Sequence, residues 1–200
     1  MIARSMTAEQ FAEEKFELAD GGRWAELIAG EPVILEPPTT EHGTAVMNLS
    51  RALAAHIDQT RAGYACFELG LIVQREPDTV LSPAISYFLT GDRWAEMDKI
   101  VTESCPSVVI EVASTPDRQR SITDRVAAYR THGATLIWVV DPQQRRISIH
   151  SGDESVDVLN MDDSLVPGDA WQTNDGAAIL AGFSLPLAKV FAEPDWWTGG

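Results

Sequence analysis

The sequence predicts an α/β fold, grading into α+β, with a mixed central sheet flanked by helices. Three observations predict it. Residues 108–113 and 136–140 are short, almost wholly apolar runs joined by a helical stretch. Such runs read as parallel strands with a crossover helix, covered on both faces. On either side, paired segments separated by turn residues read as hairpins, which makes the sheet mixed. No internal repeat or linker-like stretch divides the 200 residues, so residues 1–200 read as one domain with a sizeable core.

The elements follow in order. Residues 7–19 read as a short helix, with Thr7 as N-cap, Gln10 completing a capping box and Gly21-Gly22 ending it. RWAELIAGEPVILEPP reads as two short strands around Gly30, closed by Pro37-Pro38. Residues 41–62 form the first long helix: Val46, Leu49, Leu53 and Ile57 recur at helical spacing and Gly63 follows. Residues 64–74 and 80–89 read as two strands of a hairpin turning at Pro77-Asp78, and 91–104 as irregular. Strand 108–113, helix 118–132 closed by Gly133, and strand 136–140 make the crossover unit. Residues 145–150 then pair back as a hairpin after Asp141-Pro142. The remainder reads as loop-rich, with short strands near 156–159 and 177–182 and a helical turn over 186–191.

The formal net charge is −15, from 15 basic and 30 acidic residues. Phosphate contacts supply most nucleic-acid affinity, so this field repels DNA and binding would need a local patch. Arg118, Arg120, Arg125 and Arg130 are the cluster that could supply one; the alternative is a solvated helix face. Cys66 and Cys105 lack metal-type spacing and read as free buried thiols. No apolar run approaches the ~20 residues of a membrane helix, and the N-terminus lacks a signal-type apolar stretch, so a cytosolic protein is expected.

Three residues stand out chemically. Glu111 interrupts the apolar strand SVVIEVAS, and an unpaired buried carboxylate costs several kcal/mol. It therefore needs a partner, either a functional cation such as a metal or a structural arginine such as Arg125. Glu26, in RWAELIAG, faces a cleft or sits on an edge strand's surface. Arg125 shares a helix face with Ile122 and Tyr129, which leans it toward the strand of Glu111; the alternative is a surface position. His42, at a helix start, lines the cleft or is structural, and His56, His132 and His150 show no ligand spacing. Asp141 reads as a turn-former, and Ser114, without a paired His, as a cap. Trp196-Trp197 read as a contact for the domain or a second subunit, making a homodimer the expected assembly.

TAEQF, WAELIAGEPVILEPPTTEHG, SVVIEVASTPDR, the spacing from Ser114 to Tyr129 and Gly133, IWVVDP and GFSLPLAKVF occur in one order across most of the chain. In these the chain resembles the Uma-type restriction-endonuclease family, bacterial proteins of the PD-(D/E)XK nuclease superfamily. The resemblance implies a restriction-endonuclease-like core and a metal-dependent phosphodiester hydrolase acting on DNA. It also implies Mg²⁺ held by acidic residues, with a lysine stabilising charge or orienting water. On that pattern Glu111 and Glu26 are metal ligands and, with Arg125, the catalytic residues.

Two of four family positions depart from the pattern. In SPAISYF, Pro83 remains but Ala84 stands where the family has Asp, and Arg125 stands where it has Lys. Asp78 lies six residues earlier in a turn and reads as a decoy. Arg keeps the charge but does not shed a proton near neutral pH, and it can pair bidentately with a carboxylate. An Arg125–Glu111 salt bridge in the metal's place is therefore expected. The readings are an endonuclease with an altered site, a catalytically inactive nuclease-fold protein binding DNA or protein, or a structural homodimer.

Overall fold

The computed structural model describes residues 5–92, 94–152 and 155–194. Trp196-Trp197 lie outside the described residues. The chain begins with α1 (Ala8–Glu14), two 3-10 turns, and strands β1 (Ala25–Ile28) and β2 (Glu31–Ile34). There follow α2 (Thr40–Thr60), β3 (Tyr64–Phe67), β4 (Gly70–Gln74), β5 (Thr79–Leu81), β6 (Ile85–Phe88) and β7 (Val101–Thr102). Next come β8 (Val108–Val112), α3 (Pro116–His132), β9 (Leu136–Asp141), β10 (Arg146–Ser151) and β11 (Val156–Leu159). The last elements are β12 (Ser164–Leu165), β13 (Leu185–Pro186) and α4 (Leu187–Val190).

Helices α1 and α2 start where a threonine side chain satisfies an orphan N–H group. Thr7 accepts from the Gln10 N–H and the Gln10 side chain accepts from Thr7, the capping box read from the sequence. At the head of α2, Thr39 Oγ1 accepts from the His42 N–H. The expected helix over 7–19 is shorter as an α-helix, ending at Glu14 and continuing as 3-10 turns. Gly133, at φ 109°, closes α3 by taking the last carbonyls of Arg130 and Tyr129.

The strands form two main sheets. One has the order β2-β1-β5-β4-β7 and the other β11-β10-β9-β8-β6-β3. The β8–α3–β9 unit is the expected parallel crossover, with Val108 opposite Leu136 and Val112 opposite Val140. On one face of the six-stranded sheet, α2 packs Leu49, Leu53 and Ile57 against Ile110, Trp138 and Ile149. The 160–190 segment joins that core through Trp171, Ile179 and Phe183. On the other face α3 packs Val126 and Tyr129 against Val109 and Ile137. Phe11 of α1 packs with Leu27, Ile72 and Val80 of the five-stranded sheet.

Two expectations need correction. Residues 64–74 and 80–89 are not two continuous strands. Each breaks: Glu68 takes φ 51°, and Ser82-Pro83-Ala84 interrupts the return. The outer halves, β4 and β5, pair in the smaller sheet, while β3 and β6 pair in the larger. One hairpin thus serves both sheets, and the bend lies at the crevice described below. The strand expected over 177–182 is absent; an isolated bridge between Gln172 and Ala178 and the pairing of β12 with β13 take its place. Within the irregular 91–104 stretch, β7 pairs parallel to β4.

Candidate active site

The crevice between the sheets collects the expected residues. Glu111, on β8, points toward α3; Glu26 comes from β1 of the other sheet; Arg125 reaches in from α3. All three are at least 95 % buried. Nη1 of Arg125 donates to Glu26 Oε2 at 2.6 Å and Nη2 to Glu26 Oε1 at 2.9 Å, a two-pronged pair. Nε and Nη2 also donate to Glu111 Oε1, Nε at 2.8 Å. The expected Arg125–Glu111 ion pair therefore forms, and Glu26, 99 residues from Arg125, closes it into a triad.

Further donors saturate the carboxylates. The Tyr129 hydroxyl donates to Glu111 Oε1, and the Ser82 N–H donates to Glu26 Oε1 at 2.7 Å. Tyr129, one turn beyond Arg125, was legible as a sheet-packing residue but not as this donor. Burial pushes the Glu111 carboxyl above its ordinary pKa, with the Arg125 guanidinium working against the rise. Burial opposes charge on Arg125, but Glu111, Tyr129 and Glu26 outweigh it, so the guanidinium stays charged. Burial also drives Tyr129 well upward, so its hydroxyl keeps the proton it donates.

Ala84 sits at the bend, buried, and offers no ligand atom. Asp78 lies elsewhere: its carboxylate accepts from the Ala8 N–H at 2.8 Å and pairs with Arg75 at 2.8 Å, tying α1 to the hairpin turn. The cavity left beside the triad measures about 30 Å³, lined by Glu26, His42, Ser82, Ala84, Glu111 and Arg118 among others. It adjoins a wider cleft of about 460 Å³ walled by Trp24, Val46, Met47 and Phe67.

His42 lines both spaces, and its Nδ1 lies 3.0 Å from Ser114 Oγ. Ser114 thus has a paired histidine, 72 residues away in sequence. Burial, and then the Arg118 charge, push the His42 pKa down to about 4. A depressed histidine favours the fold when neutral. Its contribution is complete above pH ~6.5 and disappears as pH falls toward 4, on the order of 3 kcal/mol at most. We expect His42→Gln to flatten stability between pH 6.5 and 4 in denaturant melts; an unchanged acid slope would refute that assignment.

The arginine cluster is a correction. Arg118 is buried, donating to the Glu36 carbonyl at 2.7 Å and to Thr115 at 3.0 Å. Arg125 is consumed by the two glutamates, and Arg130 is half-buried on Ser151. Arg120, exposed, projects from another face of α3. The four make no exposed patch, because two of them balance buried acceptors. Cys66 is a free buried thiol as expected, but Cys105 is exposed.

The sequence profile of the Uma2 family, described as "Putative restriction endonuclease", matches residues 9–179. The chain belongs to the Uma2 family. A solved structure described as "a putative nuclease belonging to DUF820 from Anabaena variabilis ATCC 29413" superposes with a TM-score of 0.68 at 19% identity, covering 90% of this chain and 96% of that one. The Uma2 chain therefore has a nuclease fold. No curated protein matches its sequence.

Restriction-endonuclease-like families generally use divalent metals. The residues of this Uma2 chain do not fit one. Three of the four carboxylate oxygens of Glu26 and Glu111 already accept from Arg125. The space left beside them is about 30 Å³, room for about two waters, whereas Mg²⁺ keeps several. Among the described residues, no group of three or more His, Cys, Asp or Glu side chains is arranged to hold a metal ion. No helix of the described residues is long and apolar enough to cross a membrane.

Proposed function

We propose that this chain descends from metal-dependent DNA endonucleases of the PD-(D/E)XK type and that its cleavage centre is closed. Arg125 supplies from within the positive charge that a divalent ion supplies in an active relative. The observation that carries the reading is the Arg125 guanidinium lying between Glu111 and Glu26, engaging both. With Ala84 at the Asp position, the remaining acidic pair is occupied by a partner that neither leaves nor deprotonates near neutral pH. The chain then acts as a nuclease-fold binding protein and not as an efficient hydrolase.

The placement of Arg118, Arg120, Arg125 and Arg130 away from any shared exposed patch, together with the −15 charge, supports a weak hold on DNA. Glu111 and Glu26 are the ligands that a reopened site would use. Mg²⁺ and Mn²⁺ titration by calorimetry, with DNA cleavage measured alongside, tests the reading. The natural chain should show neither binding that Glu111→Ala removes nor cleavage. The Ala84→Asp/Arg125→Lys double variant should gain both. Glu111-dependent metal binding with cleavage by the natural chain would overturn it.

A further inference from the structure

A second concave site lies on the same face of the six-stranded sheet as α3 but away from the triad. Helix α3 lies over β8 and β9 and leaves β10 and β11 bare, which opens a groove of about 650 Å³. The register puts Val139, Ser148 and Val158 in one row across three strands, with His150 beside Val156 in the next. Cross-strand partners point to the same side, so these rows form the groove's floor and rim. Ile122, Val126 and Ala127 of α3 form the opposite wall. Val156 and Val158, about half exposed, leave an apolar margin on the outer strand.

Two arginines, Arg130 and Arg146, line the groove in a strongly acidic chain. Arg130 donates through Nη2 to the Ser151 carbonyl at 3.2 Å. Its Nε is buried and has no hydrogen-bond partner among the described residues. A buried, charged donor without an acceptor costs more than a neutral one, so an acceptor met by a small shift of the Arg130 side chain would relieve that cost. Arg146 stands at the opposite end of β10 from Ser151, 43% exposed and only loosely paired with Asp141 at 3.7 Å. The Asp141 carboxylate also caps the turn through the Gln144 N–H at 3.0 Å. Burial and the Arg130 charge hold the His150 pKa below its ordinary value, so the imidazole is neutral and adds no charge. Among the described residues lining the groove, two arginines therefore stand with one engaged carboxylate, above an apolar floor.

We propose that this groove binds a small organic oxyanion, a phosphate monoester or carboxylate attached to an apolar or aromatic body. The guanidinium fork of Arg130 matches the oxyanion's geometry, and Arg146, at the far end of the groove, adds to the attraction. The valines and Ile122 take the body. The volume is that of a small-molecule site.

Calorimetry on the full chain tests this with phenyl phosphate, benzoate and inorganic phosphate as probes; the first two separate a phosphate source from a carboxylate source. Phenyl phosphate or benzoate should bind, and more tightly than inorganic phosphate. Arg130→Gln should weaken the better probe about tenfold or more, the loss of one charge-assisted hydrogen bond. Thr123→Phe, which fills the groove from exposed α3 without touching Arg130, should do the same and keeps the test valid if Arg130→Gln unfolds. Arg51→Gln, on exposed α2, should change nothing. No binding of either organic probe at about 1 mM, or binding indifferent to both groove variants, would overturn the proposal. Inorganic phosphate binding as tightly as phenyl phosphate would overturn the organic body. A dimer in sedimentation that Thr123→Phe dissociates, with no anion bound, would assign the groove to a second copy.

Discussion

Arg125→Met should cost the fold about 3–5 kcal/mol, the usual penalty for removing one partner of a buried ion pair. The substitution leaves the Glu26 and Glu111 carboxylates facing one another in a crevice where both are nearly inaccessible. Among the described residues, Tyr129 and the Ser82 N–H then remain as donors to them. The melting temperature should fall by about 10 °C or more for a chain of this size. Adding Glu26→Gln and Glu111→Gln to Arg125→Met should restore most of the loss, because the cost is uncompensated charge and not lost volume. Thermal and urea melts of the single and triple variants check both statements. A single variant within ~1 kcal/mol of the parent would refute the buried-pair account.

Trp138→Ala should be comparably severe, about 3–5 kcal/mol. Trp138 is fully buried at the centre of β9, on the sheet face away from Arg125. Its ring lies 5.3 Å from that of Trp171 and 6.2 Å from that of Phe183, centroid to centroid. The 160–190 segment has little regular structure of its own: β12, β13 and α4 are two to four residues each. Packing on Trp138, with Leu165, Leu185, Leu187 and Val190 in the same cluster, therefore helps to order it. Hydrogen exchange in Trp138→Ala should quicken most at the Ile179 N–H, which bonds the Trp171 carbonyl at 2.8 Å. Trp138→Phe should lose much less. Uniform acceleration across the chain would mean that the segment is not a separate cooperative unit.

Local signals in the sequence carried the helices and the crossover. Thr7 with Gln10, the Leu49–Leu53–Ile57 spacing, and the apolar runs flanking α3 each act over a few residues, so they survive without tertiary context. The splitting of 64–74 and 80–89 was not legible. An apolar run looks the same whether one sheet or two receives it, and the break at Glu68 is a backbone angle with no residue signature. Pro83 was the one available hint.

The site divides the same way. Arg125 and Glu111 sit 14 residues apart across a strand and a helix, so their meeting follows from periodicity. The pairings of Arg125 with Glu26 and of His42 with Ser114 span 99 and 72 residues and depend on how the sheets fold together. The arginine cluster misled because a count of cations says nothing about their acceptors. Arg118 finds the Glu36 carbonyl, which no spacing announces.

The shared hairpin has a consequence for register. Because β3 runs into β4 and β5 into β6, the two sheets are cut from one ribbon bent at Glu68 and at Ser82-Pro83-Ala84. A strand alternates faces at every residue, so a one-residue deletion at either bend would turn inside out whichever half it displaced. Neither sheet can slip to absorb the error, because its partner half is held by a different set of neighbours. The floor of the crevice is thereby indexed to both sheets at once. The width of the opening is set by chain connectivity, and it changes only if one of the two strand pairs unzips.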